Sequence, residues 1–161
     1  MIHEVSGDIL LSRAKAIAHG VAPNDDFHSG LPLALRERMP ALYKDFRHYC
    51  QTSHPKSGAL WTWMCADGRY IVNLFTREGS YAHGGKPGHA SLSNVNHALH
   101  ALHAWVEKEK IPSLALPRLA CGVGGLNWND VRPLIEKHLG SLNTQVYIYV
   151  NYNKGERANE A

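Results

Sequence analysis

SLALPRLACGVGGLNW, residues 113–128, is the stretch whose reading decides the fold. Its apolar run, Leu114-Ala115-Leu116-Pro117-Arg118-Leu119, has the length of a buried strand. The run ends in a glycine-rich turn, Gly122-Val123-Gly124-Gly125, and a new helix is expected near Asn127. Strand, glycine turn and helix N-terminus in that order build an anion cradle. Glycine tolerates positive φ and lets a ligand approach the backbone. Unpaired N–H groups and the helix dipole then favour negative charge. The segment therefore points to a phosphorylated ligand of nucleotide type.

Outward from this segment, strands and helices alternate. Residues 2–5 read as a short strand, followed by a turn at Gly7-Asp8-Ile9-Leu10, and residues 16–18 as a second strand. A polar loop over residues 19–29 holds Pro23, Asn24, Asp25 and Asp26. A helix opens at residues 30–32, where proline is accepted in a first turn, with Leu31, Leu35, Leu42 and Phe46 as its stripe and a break near Pro40. Residues 59–65 and 70–75 are two strands joined by the hairpin signal Asp67-Gly68. Residues 79–88 form a second glycine-rich loop. Leu92, Val95, Leu99, Leu102 and Val106 recur at the spacing of one helical face, which predicts a helix over residues 91–108. Residues 114–119 are a strand, 128–139 a helix with Gly140 at its C-cap, and 146–150 the last strand. From Asn153 the chain is polar and is expected to fray. The sum is one α/β domain with helices on both faces of a mixed sheet.

Bulk properties narrow the class. The chain has 161 residues, 44% of them hydrophobic, enough for one domain with a full core. The formal net charge of +3 suits a small anionic ligand, and no dense Lys/Arg run marks a nucleic-acid coat. Cys50, Cys65 and Cys121 are odd in number and lack metal spacing, so the expected setting is a reducing cytoplasm. No apolar run approaches 18 residues and no signal peptide is recognised, so no membrane association is expected.

Five pieces together resemble the macrodomain family, whose members bind ADP-ribose. They are Gly7-Asp8-Ile9-Leu10, Ala16-Ile17-Ala18-His19, the helix over residues 30–39, residues 70–77, and LPRLACGVGGLNW over residues 116–128. The resemblance covers residues 1–152, leaving 153–161 as a polar C-terminal tail. It is nearest to the subgroup of terminal ADP-ribose protein glycohydrolases and DNA ADP-ribosylglycohydrolase antitoxins. It implies a three-layer α/β/α fold around a mixed six-stranded sheet, no cofactor and no metal. The implied partner is ADP-ribose or an ADP-ribosylated protein or nucleic acid, and a monomer is the default.

The resemblance also implies roles. Asp8 accepts a hydrogen bond from the adenine amino group beside Ile9, and Asn151 and Tyr152 flank the base. Gly122, Val123, Gly124 and Gly125 bind the diphosphate through their N–H groups, with Cys121 and Leu126 on either side. The loop over residues 19–30 wraps the distal ribose, bringing His19, Gly20, Ser29, Gly30 and Leu31 into the ligand set, with Thr76 from the strand opposite. Three departures stand out. The subgroup's catalytic lysine aligns with Arg77, and an arginine cannot deprotonate to become an amine nucleophile. An aspartate of the human-type enzymes aligns with Gly124, and an asparagine common in macrodomains aligns with Ala22.

The remaining candidates for chemistry are Asp25, Asp26, His28 and Arg77. A carboxylate over the distal ribose would orient or deprotonate a water, His28 would share protons near neutral pH, and Arg77 would hold negative charge. The competing reading has both aspartates capping a turn in solvent and Arg77 paired with Glu78. His83 and Lys86 either close over the ligand or sit in a merely mobile loop. His97, His100 and His103, Cys121, and Trp128 read as structural. Three functions compete: a glycohydrolase releasing ADP-ribose, a reader that binds without turnover, and a phosphatase acting on ADP-ribose 1″-phosphate.

Overall fold

The computed structural model describes residues 1–80 and 87–161. Six strands, β1 (Ile2–Gly7), β2 (Ala16–Val21), β3 (Leu60–Met64), β4 (Tyr70–Phe75), β5 (Ser113–Pro117) and β6 (Gln145–Tyr152), form one sheet in the order β1-β6-β5-β2-β4-β3. Every neighbouring pair is parallel except the β3–β4 hairpin, so the sheet is mixed, as expected. The helices are α1 (Gly30–Arg38), α2 (Pro40–Ser53), α3 (Leu92–Glu109) and α4 (Trp128–Leu139).

Side-chain alternation along each strand sorts the core into two halves. Ala16, Ala18, Val72, Leu74, Leu114, Leu116, Val146 and Ile148 pack against α3 and α4. Ile17, Ile71, Ala115, Tyr147 and Tyr149 point the other way, onto Leu35, Leu42, Phe46 and Cys50 of α1 and α2. The result is the expected three-layer α/β/α sandwich. Pro40 opens α2 at its first turn, which accounts for the break between α1 and α2.

Several boundaries differ from the sequence reading for tertiary reasons. His19, Gly20 and Val21 belong to β2 rather than to the loop, because β2 lies between two strands and pairs through Val21 with Phe75. β5 ends at Pro117, and Leu119 reaches the core from the following turn. Leu92 is 40% exposed because it is the first residue after the Ser91 cap, ahead of the buried stripe that starts at Val95. Gly140 closes α4 with a right-handed φ of −66°, not a left-handed one.

The largest correction concerns the polar tail, which does not fray. Asn153 N–H donates to the Gly7 carbonyl (3.1 Å), and Asp8 N–H donates to the Glu156 carbonyl (2.7 Å). The Glu160 carboxylate accepts from Ser12 Oγ (2.6 Å), Arg13 N–H (3.0 Å) and the Tyr149 hydroxyl (2.6 Å). Residues 153–161 therefore run back across the end of β1 as a strap. In a parallel sheet the loops that follow β1, β2, β4, β5 and β6 gather at one end, which is where α/β folds hold ligands.

Candidate functional site

Two cavities lie at that end and share Gly30, Leu31 and Pro117, so they form one continuous cleft. The first, about 360 Å³, is walled by Gly7, Ile9, Leu10, Ala34, Tyr149 and Tyr152 and is almost wholly apolar. The second, about 260 Å³, is lined by His19, Gly20, Asp25, His28, Ser29, Thr76, Arg77, Arg118 and the loop residues Ala120, Gly122, Val123 and Gly124.

The glycine loop forms one wall of the second cavity. It is closed by Leu126 N–H to the Ala120 carbonyl (3.0 Å) and by Gly125 N–H to the Gly122 carbonyl (3.1 Å). Ala120 and Gly125 take positive φ, 63° and 80°. Gly124 is needed for space, since a Cβ there would lie 2.6 Å from the Ala120 carbonyl oxygen. Among the described residues the N–H groups of Gly122, Val123 and Gly124 have no acceptor. Three adjacent free donors at the mouth of a cleft, ahead of the N-terminus of α4, make an anion nest. Cys121 does not line the cleft; its thiol donates to the Leu119 carbonyl (3.2 Å) and burial raises its pKa, which suits packing. Gly125 and Leu126 also lie outside the lining. Trp128 is half-buried, with the Arg118 guanidinium 5.9 Å from its ring.

At the apolar end, Asp8 follows Gly7 and precedes Ile9 of the wall, but it is 6% exposed and does not itself line the cavity. Its Oδ1 accepts from Leu10 N–H (3.0 Å) and its Oδ2 from Gly155 N–H (2.9 Å). Tyr152 is 60% exposed on the cavity rim. Asn151 is exposed, donates to Ser6 Oγ (3.1 Å) and is not part of the wall.

At the other end the two neighbouring aspartates separate. The loop after β2 turns tightly, with positive φ at Asn24 and Phe27, and Phe27 is driven into the α1–α2 core. That turn aims Asp25 inward. Asp25 Oδ2 accepts from Ala22 N–H (2.9 Å), Oδ1 accepts from Phe27 N–H (2.9 Å), and Arg77 lies 3.9 Å from Oδ2. Asp25 thus caps the turn as the competing reading had it, but from a buried position. Asp26 points to solvent, pairs there with His28 and does not line the cleft. Arg77 is fixed by a bond from Nε to the Gly88 carbonyl (2.8 Å). Its carboxylate partner is Asp25, whereas Glu78 accepts from Ser57 and Asn94 instead.

His19 is buried, and its Nε2 meets Asn73 Oδ1 at 2.7 Å. Asn73 Nδ2 donates to the Trp61 carbonyl, so its oxygen faces the ring and His19 Nε2 carries the proton. Burial pushes the His19 pKa down to about 4. A histidine depressed in the folded state from an ordinary value of 6.5 stabilises the fold fully above pH 6.5. That stability is lost as pH falls from about 6.5 to about 4. Urea titrations across this window should show falling stability in the wild type and a flatter profile in His19→Gln. Equal slopes would remove His19 from the account. Thr76 Oγ1 is buried beside Gly20, where a Cβ would sit 2.7 Å from it. His83 and Lys86 lie outside the described residues. His103 spans the Glu107 carboxylate and the His138 carbonyl, tying α3 to α4 away from the cleft.

The macrodomain of Thermus aquaticus DarG superposes with a TM-score of 0.81 at 25% identity, over 93% of this chain and 98% of that one. The chain has the macrodomain fold. Its sequence is 27% identical, over 93% of its length, to a DNA ADP-ribosyl transferase–DNA ADP-ribosyl glycohydrolase fusion protein of Thermosipho africanus. It is 23% identical, over 90% of its length and 88% of the relative's, to the human ADP-ribose glycohydrolase OARD1. This macrodomain spans about two fifths of the length of the Thermosipho relative and of the Thermus aquaticus DNA ADP-ribosyl glycohydrolase (42% and 41%). No protein-family model matches it.

Sequence reasoning missed Tyr149, Pro117 and Arg118 in the cleft wall and the strap contact on Asp8. Tyr149 was accessible from the alternation of β6. The strap carried no local signal, because its partners are about 147 residues away in sequence.

Proposed function

We propose that this macrodomain binds ADP-ribose and hydrolyses the bond joining the distal ribose to its carrier. The observation that carries the reading is the set of features gathered in one cleft. A base-sized apolar cavity adjoins a second cavity that brings together three adjacent free N–H donors and a buried carboxylate beside an arginine. Adenine enters the apolar cavity beside Asp8, the diphosphate spans Gly122–Gly124, and the distal ribose reaches Asp25 and Arg77. Cleavage at an anomeric carbon develops positive charge on the sugar and negative charge on the leaving group. Asp25 stabilises the first and takes a proton from the attacking water, and Arg77 stabilises the second. Arg77 cannot form a covalent amine adduct, so water attacks directly.

The names of the bacterial relatives favour ADP-ribosylated DNA as the substrate, with an ADP-ribosylated protein as the other class. The three cysteines are free thiols and no helix among the described residues is long and apolar enough to cross a membrane. Free thiols fit the reducing cytoplasm expected from the sequence.

Incubation with an ADP-ribosylated oligonucleotide and an ADP-ribosylated protein, followed by chromatography, should show free ADP-ribose released from one of them. The Asp25–Arg77 ion pair also fits a second reading, in which the site only holds the ribose. Binding of both substrates with no release would establish that reader function.

A further inference from the structure

Hydrolysis at an anomeric carbon takes a proton from water and, where the leaving group is poor, gives a proton to the departing atom. The proposed hydrolysis, on which this inference rests, uses Asp25 for the first and leaves the second unassigned. Of the polar side chains that line the second cavity among the described residues, Arg77 and Arg118 never release their protons. The hydroxyls of Ser29 and Thr76 are far weaker acids than an imidazolium. His19 is neutral near pH 7, since burial holds its pKa at about 4, and its Nε2–H is already given to Asn73. His28 remains.

The position of His28 is fixed from several sides. Phe27, at a φ of 53°, sends its ring into the core and leaves Asp26 and His28 on the outside. Arg36 Nη1 donates to the Asp26 carbonyl (3.0 Å), and Arg47 Nη1 donates to the Asn24 carbonyl (3.0 Å). The Asp26 carboxylate pairs with His28 Nδ1. An ionised carboxylate only accepts, so Nδ1 carries a proton and Nε2 is the atom that gains and gives the second one. Exposure suits that role. A cavity of about 260 Å³ admits a ribose but not a macromolecular carrier, so the bond to be broken lies at the rim, where His28 stands exposed.

We propose that His28 is the general acid of this site, fitting it for carriers joined through a nitrogen or an alcohol oxygen, atoms that leave only with a proton. As the bond from C1″ breaks, its electron pair goes to the carrier atom, which takes the proton of His28 Nε2. Water bonds to C1″ and gives its proton to Asp25. Exchange with solvent returns both groups to their starting state.

Single-turnover release tests this with ADP-ribose joined to a nucleobase of an oligonucleotide, to a serine of a peptide, and to 4-nitrophenolate, an anion that leaves without a proton. On the macromolecular carrier that the wild type accepts, His28→Ala should slow release by at least about 100-fold, and on 4-nitrophenolate by less than about threefold. His28→Gln, which forms hydrogen bonds but supplies no proton, should match the alanine variant. The wild-type rate on the accepted carrier should fall as pH rises, and both variants should lack that fall. A histidine that only shapes the loop would slow all substrates alike; equal slowing, or none, overturns the inference. A wild type that releases ADP-ribose from 4-nitrophenolate alone overturns it as well. Release from none of the three, with ADP-ribose still bound, would instead remove the hydrolysis reading, and the inference with it.

Discussion

Gly122→Glu is expected to weaken ADP-ribose binding by at least about 100-fold while leaving the thermal midpoint close to that of the wild type. Gly122 is exposed, a Cβ at this position meets no atom within 4 Å, and its φ is one that any residue adopts. The loop therefore folds around the new side chain. The added carboxylate stands at the nest of free N–H groups, where a diphosphate would lie. A unit charge about 4 Å from another costs about 4 kcal/mol at an effective dielectric near 20, and salt screens part of it. The remaining few kcal/mol is at least about 100-fold in Kd. The same substitution at Gly124 is a poorer test, because the Ala120 carbonyl 2.6 Å from its Cβ would distort the loop by itself. Calorimetry with matched melting curves reads the result. Undiminished affinity in Gly122→Glu would place the diphosphate elsewhere.

Asp25→Ala is expected to lower the rate of ADP-ribose release by at least about 100-fold, the usual worth of a general base. It also destabilises the fold, because the carboxylate is the acceptor for two buried N–H groups and the partner of Arg77. Each abandoned N–H costs about 1–3 kcal/mol. Asp25→Asn separates the two effects. It keeps one acceptor oxygen for the turn and removes the negative charge, so it should melt nearer the wild type and still turn over slowly. Asp26→Ala provides the comparison: that side chain is in solvent against His28, and its loss should change the rate by no more than a few fold. Single-turnover assays measure all three. Wild-type rates in Asp25→Asn would exclude this carboxylate from the chemistry.

The strand segment at residues 70–75, the apolar run from Leu114, the helical spacing from Val95 to Val106 and the glycine turn after β5 are local patterns, and the chain obeys them. They were enough for the layers, the mixed sheet and the glycine loop. Asp25 and Asp26 show why local pattern stopped there. Side by side in sequence they are chemically equivalent, and only the positive φ of Phe27 and the burial of its ring turn one inward and the other out. His19 was placed in a loop because a polar residue at a strand end is ambiguous until its neighbours are known; Asn73 across the parallel register supplies the partner that lets it be buried.

What the sequence determined alone is whatever depends on residues close together in the chain. Periodicity decides which face of a helix or strand is apolar, and glycine decides where the backbone can bend toward a phosphate. Tertiary structure decided what depends on distant partners. The polar tail became a strap because Gly155 finds Asp8 across 147 residues and Glu160 finds Ser12 across 148. Arg77 became a partner of Asp25 rather than of Glu78. Hydrogen bonds and ion pairs have no period along the chain. Their partners are set by where the packed core brings strand ends together.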